Sequence, residues 1–118
     1  MRSLTPSLRE AVLAAQARKA LDLDILDLKE VSSFTDFFLI CSGMSTRHTR
    51  AICDGIVERL EKSGVSPAHT EGYPQAEWIL LDYLSFVVHV FSHRARQFYD
   101  LERLWKNAKR VRVLSDEL

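Results

Sequence analysis

The chain has 118 residues, of which 47% are hydrophobic and 27% are charged, so its size and composition predict one soluble globular domain over residues 1–118. Its 16 Lys and Arg residues equal its 16 Asp and Glu residues, which gives a net charge of zero. Binding to a phosphate backbone normally shows as a surplus of positive charge, so this balance argues against a sequence-blind RNA-binding protein.

The two cysteines, Cys41 and Cys53, form neither a disulfide framework nor a C-x-x-C motif, and each lies in an apolar stretch. This pattern is typical of reduced, buried thiols in the cytoplasm. No apolar run reaches the roughly 20 residues that span a bilayer, and the first residues do not resemble a signal peptide. We therefore expect a cytoplasmic protein without membrane contact.

The first predicted element is a helix. Thr5 can cap its N-terminus, Pro6 suits its first position, and apolar residues then recur at helical spacing. The apolar alternation that follows changes parity, and a strand is predicted at about Ile25–Leu28. The continuous apolar run Phe37–Cys41 is typical of a central strand buried on both faces, and Ser45 can cap the helix after it.

This second helix has a clear buried stripe and is predicted to end near Gly64. Residues 65–76, which contain two prolines, predict a loop. Two apolar runs, Trp78–Tyr83 and Phe86–Phe91, then flank a two-residue join at Leu84–Ser85, which is the pattern of a β-hairpin.

Ser92 can cap a final helix, and the tail 106–118 is expected to fray. Apolar residues of this helix recur at steps of three and four: Phe98, Leu101, Leu104 and Trp105. The predicted order is α-β-β-α-β-β-α. The fold class is therefore α/β, an α+β sandwich in which helices pack on a mixed four-stranded sheet.

The turn Ser42–Gly43, between a strand and a helix, is the nearest approach to a catalytic or ligand-binding motif. A glycine turn followed by a helix N-terminus can hold a phosphate group, and nucleotidyltransferases have a similar Gly-Ser turn. Those enzymes also need two or three carboxylates for Mg²⁺. The neighbouring strands offer only Asp82, with His89 where a second carboxylate would help. A nucleotide-binding enzyme or remnant stays open as the alternative function.

Other chemistry has less support. His89 and His93 are four residues apart but do not share a predicted helix, and no ligand pair has zinc spacing, so we expect no metal site. Cys41 is predicted to be buried and His48 falls in the first turn of a helix, so they do not form a nucleophile and base. No cofactor is expected.

The hairpin presents the clearest candidate surface. If Ile79 and Leu81 point to the core, alternation places Trp78, Leu80 and Asp82 on the other face of the sheet. An exposed Trp and Leu beside a carboxylate is the profile of a protein-protein hot spot. The pattern equally allows the last helix to cover this face and bury Trp78.

From Ser92 onward the chain carries more basic than acidic residues, which allows a peripheral contact with rRNA or a simple solvated helix face. The seven basic residues are Arg94, Arg96, Arg103, Lys106, Lys109, Arg110 and Arg112, against four acidic ones.

Seven segments in one order resemble the ribosomal silencing factor family, also called Iojap-like proteins. They are DILDL (24–28), TDFFLICSG (35–43), STRHTRAICD (45–54), EG (71–72), WILLDY (78–83), VVHVF (87–91) and RQFYDLERLW (96–105). The resemblance covers about residues 20–105, nearly the whole domain. It implies a topology similar to that of nucleotidyltransferases but without their catalytic carboxylates, and a protein that is not an enzyme.

The resemblance also implies a partner and a mechanism. Family members bind the large ribosomal subunit through ribosomal protein L-fourteen and obstruct joining of the small subunit, which represses translation; organellar relatives are linked to large-subunit assembly. We expect partner contacts at Trp78, Leu80, Asp82, Tyr83 and His89, and a rim that includes Glu71, Arg47, His48, Arg94 and Arg96. An exposed apolar sheet face also predicts a weak homodimer when no partner is bound.

The chain departs from the family pattern at two places. Leu84–Ser85 stands where the family usually has Gly-Asp, so the hairpin turn is expected to be longer or differently shaped, because tight hairpin turns favour residues that adopt positive φ. His93–Arg94 stands where an acidic residue is common, which changes the charge of the rim.

Overall fold

The structure is a computed structural model that describes residues 4–111. The elements in chain order are α1 (Pro6–Ala17), β1 (Leu21–Asp27), β2 (Phe37–Gly43), α2 (Thr46–Glu61), β3 (His69–Glu71), β4 (Trp78–Asp82), β5 (Phe86–Ser92), α3 (His93–Tyr99), α4 (Leu101–Leu104) and β6 (Lys109–Val111). The strands form a mixed sheet with the order β3-β4-β5-β2-β1-β6, in which β2 and β5 are parallel and the other neighbours are antiparallel.

The predicted helix starts are confirmed. The side chains of Thr5, Ser45 and Ser92 each accept a hydrogen bond from a backbone N–H three residues further on, which satisfies one of the free donors of the first helical turn. Pro6 is the first residue of α1. These local signals fix where α1, α2 and α3 leave the preceding chain.

The two faces of the sheet are covered unequally. Helices α1 and α2 cover one face and enclose the larger core, which includes Leu8, Ile52, Ile79 and Val88. The other face carries a smaller core that is covered by the short helices α3 and α4. Because two short helices cannot cover six strands, part of this second face stays open at β4, where Trp78, Leu80 and Asp82 are only partly buried.

The mixed α/β sheet is confirmed, but the structure has six strands instead of four among the described residues. Strand β3 lies in the predicted loop 65–76, and β6 lies at the start of the tail that was expected to fray. Each has three residues, and backbone pairing with a neighbouring strand, instead of an apolar pattern, holds it in place. The predicted change of parity falls between Ile25 and Leu26, whereas β1 has its register irregularity earlier, between Leu21 and Asp24.

The prediction of one continuous final helix is wrong. Asp100 adopts a left-handed conformation with φ of 46°, and the chain divides there into α3 and α4. The helical repeat is interrupted, so the apolar residues no longer share one buried stripe. Leu101 is buried, whereas Phe98 and Leu104 are 79% and 76% exposed.

Both cysteines are buried and unpaired, as predicted. Burial raises the pKa of the Cys41 thiol to about 12, and it also raises the pKa of Cys53. Both therefore stay protonated and unreactive at neutral pH. Within residues 4–111, no helix has the length and apolar character needed to cross a bilayer.

Candidate partner-binding face

We call the uncovered part of the second sheet face, formed by Trp78, Leu80, Asp82 and the adjoining His89, the open face. In β4 the residues alternate as predicted: Ile79 and Leu81 are buried under α2, while Trp78, Leu80 and Asp82 are partly exposed on the opposite side. The order of strands places His89 of β5 directly beside Leu80.

Trp78 lies at the border between core and surface. Its ring stacks on Phe91 with centroids 4.9 Å apart and contacts Tyr99 of α3 at 4.8 Å. Its indole Nε1–H donates a hydrogen bond to Nδ1 of His89 over 3.0 Å. One side of the ring is thus held by the smaller core, and the remainder is open to solvent. Trp78 is therefore neither the freely exposed hot-spot residue nor the fully buried core residue that the sequence allowed.

His89 is only 4% exposed although it belongs to the open face. Its ring packs edge to face on Phe38, with centroids 4.5 Å apart. Burial lowers its pKa to about 4, and the nearby Glu102 carboxylate offsets this only in part. At neutral pH the imidazole is therefore uncharged, and its ring has little exposed surface for the partner contact that the sequence predicted.

Asp82 is partly exposed on the open face, and its carboxylate also stabilises the hairpin turn. One of its carboxylate oxygens accepts a hydrogen bond from the backbone N–H of Leu84 over 2.8 Å. This bond stabilises the hairpin turn, in which Leu84 has φ of 71°. The turn keeps a two-residue loop, closed by the N–H of Tyr83 and the carbonyl of Phe86, but a bulky residue occupies the left-handed position.

Tyr83 does not lie with the other predicted contact residues. It is buried on the α1 and α2 side, where its ring stacks on Phe86 with centroids 5.0 Å apart. The same alternation that turns Asp82 outward turns Tyr83 inward. Burial raises the pKa of its phenol to about 12.

Two of the predicted rim residues have internal partners. Nδ1 of His48 accepts the N–H of Met44, and Nε2 of the same ring is 2.8 Å from the carbonyl oxygen of Arg18. The guanidinium of Arg96 is mostly buried and contacts both Asp24 and Glu102 at 3.2 and 2.6 Å. These two side chains hold elements together and have little capacity left for a partner.

The other predicted rim residues, Glu71, Arg47 and Arg94, are exposed. Glu71 lies in β3 opposite Leu80, next to the open face. Arg94 is the second residue of α3, and its guanidinium lies 3.9 Å from the carboxylate of Glu77, the residue before Trp78. Arg47 is on α2 and so belongs to the opposite side of the sheet.

Sequence reasoning missed a groove beside Trp78. It has a volume of about 440 Å³ and is lined by Glu77, Arg94, Ala95, Phe98 and Tyr99. Phe98 is among the most exposed apolar side chains of the described residues, and its ring contacts Tyr99 with centroids 5.1 Å apart. The adjacent aromatics in RQFYD were visible in the sequence, but the break at Asp100 that exposes them carries no glycine or proline signal.

The turn at Ser42–Gly43 is arranged for packing. A side chain at Gly43 would place its Cβ 2.9 Å from the backbone nitrogen of Thr49, so glycine lets α2 pack against the strand end. The N–H of Met44 is bonded to His48, and the N–H of His48 is bonded to the Ser45 hydroxyl. These donors are not available to a phosphate. Among residues 4–111, no three His, Cys, Asp or Glu side chains are grouped as metal ligands.

The chain is thus a small α/β protein with a partly exposed aromatic surface on one face of its sheet. A family model described as "Ribosomal silencing factor during starvation" matches residues 2–117. The chain belongs to this ribosomal silencing factor family, which confirms the resemblance seen in the sequence.

Individual relatives agree with this assignment. A ribosomal silencing factor of Halalkalibacterium halodurans is 39% identical over 90% of this chain and 91% of its own length. A crystal structure from Bacillus halodurans is 38% identical, covers 90% of this chain and 96% of its own, and superposes with a TM-score of 0.81. The mouse protein named "Mitochondrial assembly of ribosomal large subunit protein 1" is 33% identical over 84% of this chain and 43% of its own length.

Proposed function

We propose that this protein is a cytoplasmic ribosomal silencing factor that binds the large ribosomal subunit and prevents joining of the small subunit. The names of its relatives support the silencing role, and the name of the mouse relative supports the large subunit as partner, with subunit assembly as a further role. The observation that carries the proposal is the open face, a partly exposed aromatic surface on a rigid sheet.

The expected docking partner is a protein, ribosomal protein L-fourteen. The net charge is zero, and several basic residues of the C-terminal part already have acidic partners: Arg96, Lys109 and Arg110 form ion pairs with Asp24, Glu102 or Glu30. Arg103 and Lys106 are exposed and can make a peripheral rRNA contact. Two such contacts predict a shallow dependence of affinity on salt concentration, unlike that of an RNA-binding protein.

The mechanism is steric. The described fold measures 33 × 33 × 29 Å. Ribosomal subunits join by direct contact, so a body of this thickness on the joining surface holds them apart without any chemical step. The open face binds, and the layer of α1 and α2 on the opposite side of the sheet supplies the obstruction.

Sedimentation of ribosomal particles tests this proposal. The protein should migrate with free large subunits and be absent from joined ribosomes, and added protein should lower the joined fraction when purified subunits are mixed. Recovery on small subunits or on translating ribosomes in equal amounts would refute it.

A weak homodimer through the open face is part of the proposal. Trp78, Leu80 and Phe98 expose apolar area that two copies can cover by a two-fold contact, and ribosome binding would then replace the self-contact. Light scattering over a range of concentrations measures the equilibrium. A monomer at high concentration would exclude the dimer and leave ribosome binding untouched.

A further inference from the structure

The hydrogen bond between Trp78 and His89 uses the only polar atom of the indole ring. Nε1–H of Trp78 donates to Nδ1 of His89 over 3.0 Å, so Nδ1 must be unprotonated and the ring proton of a neutral imidazole must be on Nε2. This tautomer leaves the exposed part of the indole with carbon atoms alone for contact. A partner at this site therefore meets an apolar surface.

Apart from its bond to Trp78, His89 lowers the stability of the fold. It is buried in the centre of the sheet, and its Nε2 has no hydrogen-bond partner among residues 4–111. A buried donor without a partner destabilises the fold, and an apolar side chain of similar size would avoid that loss. What the apolar side chain could not supply is the acceptor for Trp78.

We infer that His89 is a positioning residue: it fixes the orientation of the Trp78 indole so that a partner protein receives the ring as a rigid apolar knob. Phe91 and Tyr99 hold one side of the ring, and the bond to His89 holds the edge that carries Nε1. Without this bond that edge could shift, and the partner would have to order it on binding. The inference rests on the proposed function, because it concerns how the open face recognises its partner.

Two variants of His89 isolate the acceptor. His89→Asn places an oxygen near the position of Nδ1, and His89→Leu places a methyl group there; both have the same number of side-chain heavy atoms, and both lose the ring contact with Phe38. If His89 only stabilised the fold, His89→Leu would be the more stable variant and would bind at least as tightly as His89→Asn, since leucine buries no unpaired amide. If His89 positions Trp78, His89→Asn should bind large subunits about fivefold more tightly than His89→Leu, the effect of one hydrogen bond.

A second comparison uses Trp78→Phe, which removes the indole N–H and keeps an aromatic ring. In that background the difference between His89→Asn and His89→Leu should disappear. Equal or tighter binding by His89→Leu, or a difference that persists in the Trp78→Phe background, would overturn the inference. If instead the wild-type protein does not bind large subunits, the proposed function itself fails.

Nuclear magnetic resonance of the isolated protein gives a readout that needs no ribosome. The Trp78 indole N–H should exchange slowly with water in the wild type and in His89→Asn, and quickly in His89→Leu. The imidazole of His89 should carry its proton on Nε2. Fast indole exchange in the wild type, or a proton on Nδ1, would show that the bond is not formed and would refute the positioning role.

Discussion

Replacing Trp78 with alanine tests whether the open face binds the partner, and the structure sets the expected magnitudes. A mostly buried Trp withdraws roughly 150 Å² from water, which is worth about 4 kcal/mol at about 25 cal/mol per Å². The site opens to solvent, so neighbouring Tyr99 and water fill part of the space, and we expect the free energy of unfolding to fall by about 3 kcal/mol. The variant should still fold, since single domains have about 5–15 kcal/mol of stability.

Such a loss of stability overlaps with that of an ordinary core mutation, so a control of matched stability is needed. Ile79→Ala provides it, because Ile79 is the next residue of the same strand, is fully buried and points to the opposite face. It should lower the free energy of unfolding by about 2–5 kcal/mol. Because it does not touch the open face, its affinity for large subunits should stay at the wild-type value.

The assay measures binding to purified large subunits at a temperature where both variants remain folded. Trp78→Ala should lose about 2 kcal/mol of binding, roughly thirtyfold in affinity, as hot-spot truncations do. Ile79→Ala should lose less than twofold. Equal affinities for the two variants would refute the assignment of the open face as the binding surface.

Three further predictions concern residues that contact or adjoin the open face, namely Gly72, Asp82 and His89. Gly72→Ala should destabilise by several kcal/mol, because Gly72 has φ of 82° and a Cβ there would overlap a carbonyl oxygen of β4; thermal melting measures this, and an unchanged melt would contradict the packing. Asp82→Asn keeps an acceptor for the Leu84 N–H and should melt as the wild type does, whereas Asp82→Ala should lose about 1 kcal/mol of stability; weaker large-subunit binding by both variants would assign a role to the charge. Because burial lowers the pKa of His89 to about 4 from 6.5, the unfolded chain takes up a proton that the folded chain does not, as the pH falls between these values. The free energy of unfolding should therefore decrease by up to about 3 kcal/mol as the pH is lowered from 6.5 to about 4. Denaturant titrations at several pH values measure this, and His89→Leu should lack this part of the pH dependence.

The features that the sequence predicted correctly have local causes. Capping by Thr5, Ser45 and Ser92 needs only a side chain and the following turn, and the outward position of Trp78 follows from the period of two in a strand. The family match rested on many segments in one order, so departures at single positions such as Leu84 did not disturb it.

The features that the sequence did not predict depend on distant partners. β6 exists because residues 109–111 meet β1, and no apolar alternation announces it. Arg96 looked like a free basic rim residue, but Asp24 approaches it from a strand 72 positions earlier in the chain. The break between α3 and α4 occurs at Asp100, a residue that adopts the left-handed conformation although it is not a glycine, and the break leaves Phe98 exposed.

The pairing of β1 with β6 has a consequence for the newly made chain. Leu26 and Arg110 are register partners, 84 positions apart. At translation rates of about 5–20 residues per second, β6 is synthesised roughly 4–17 s after β1, and the outer edge of β1 is unpaired during this time. An unpaired strand edge can recruit another chain, and charged side chains along the edge oppose this. Asp22, Asp24 and Asp27 supply three negative charges in this strand, so β1 carries its own protection against aggregation during synthesis.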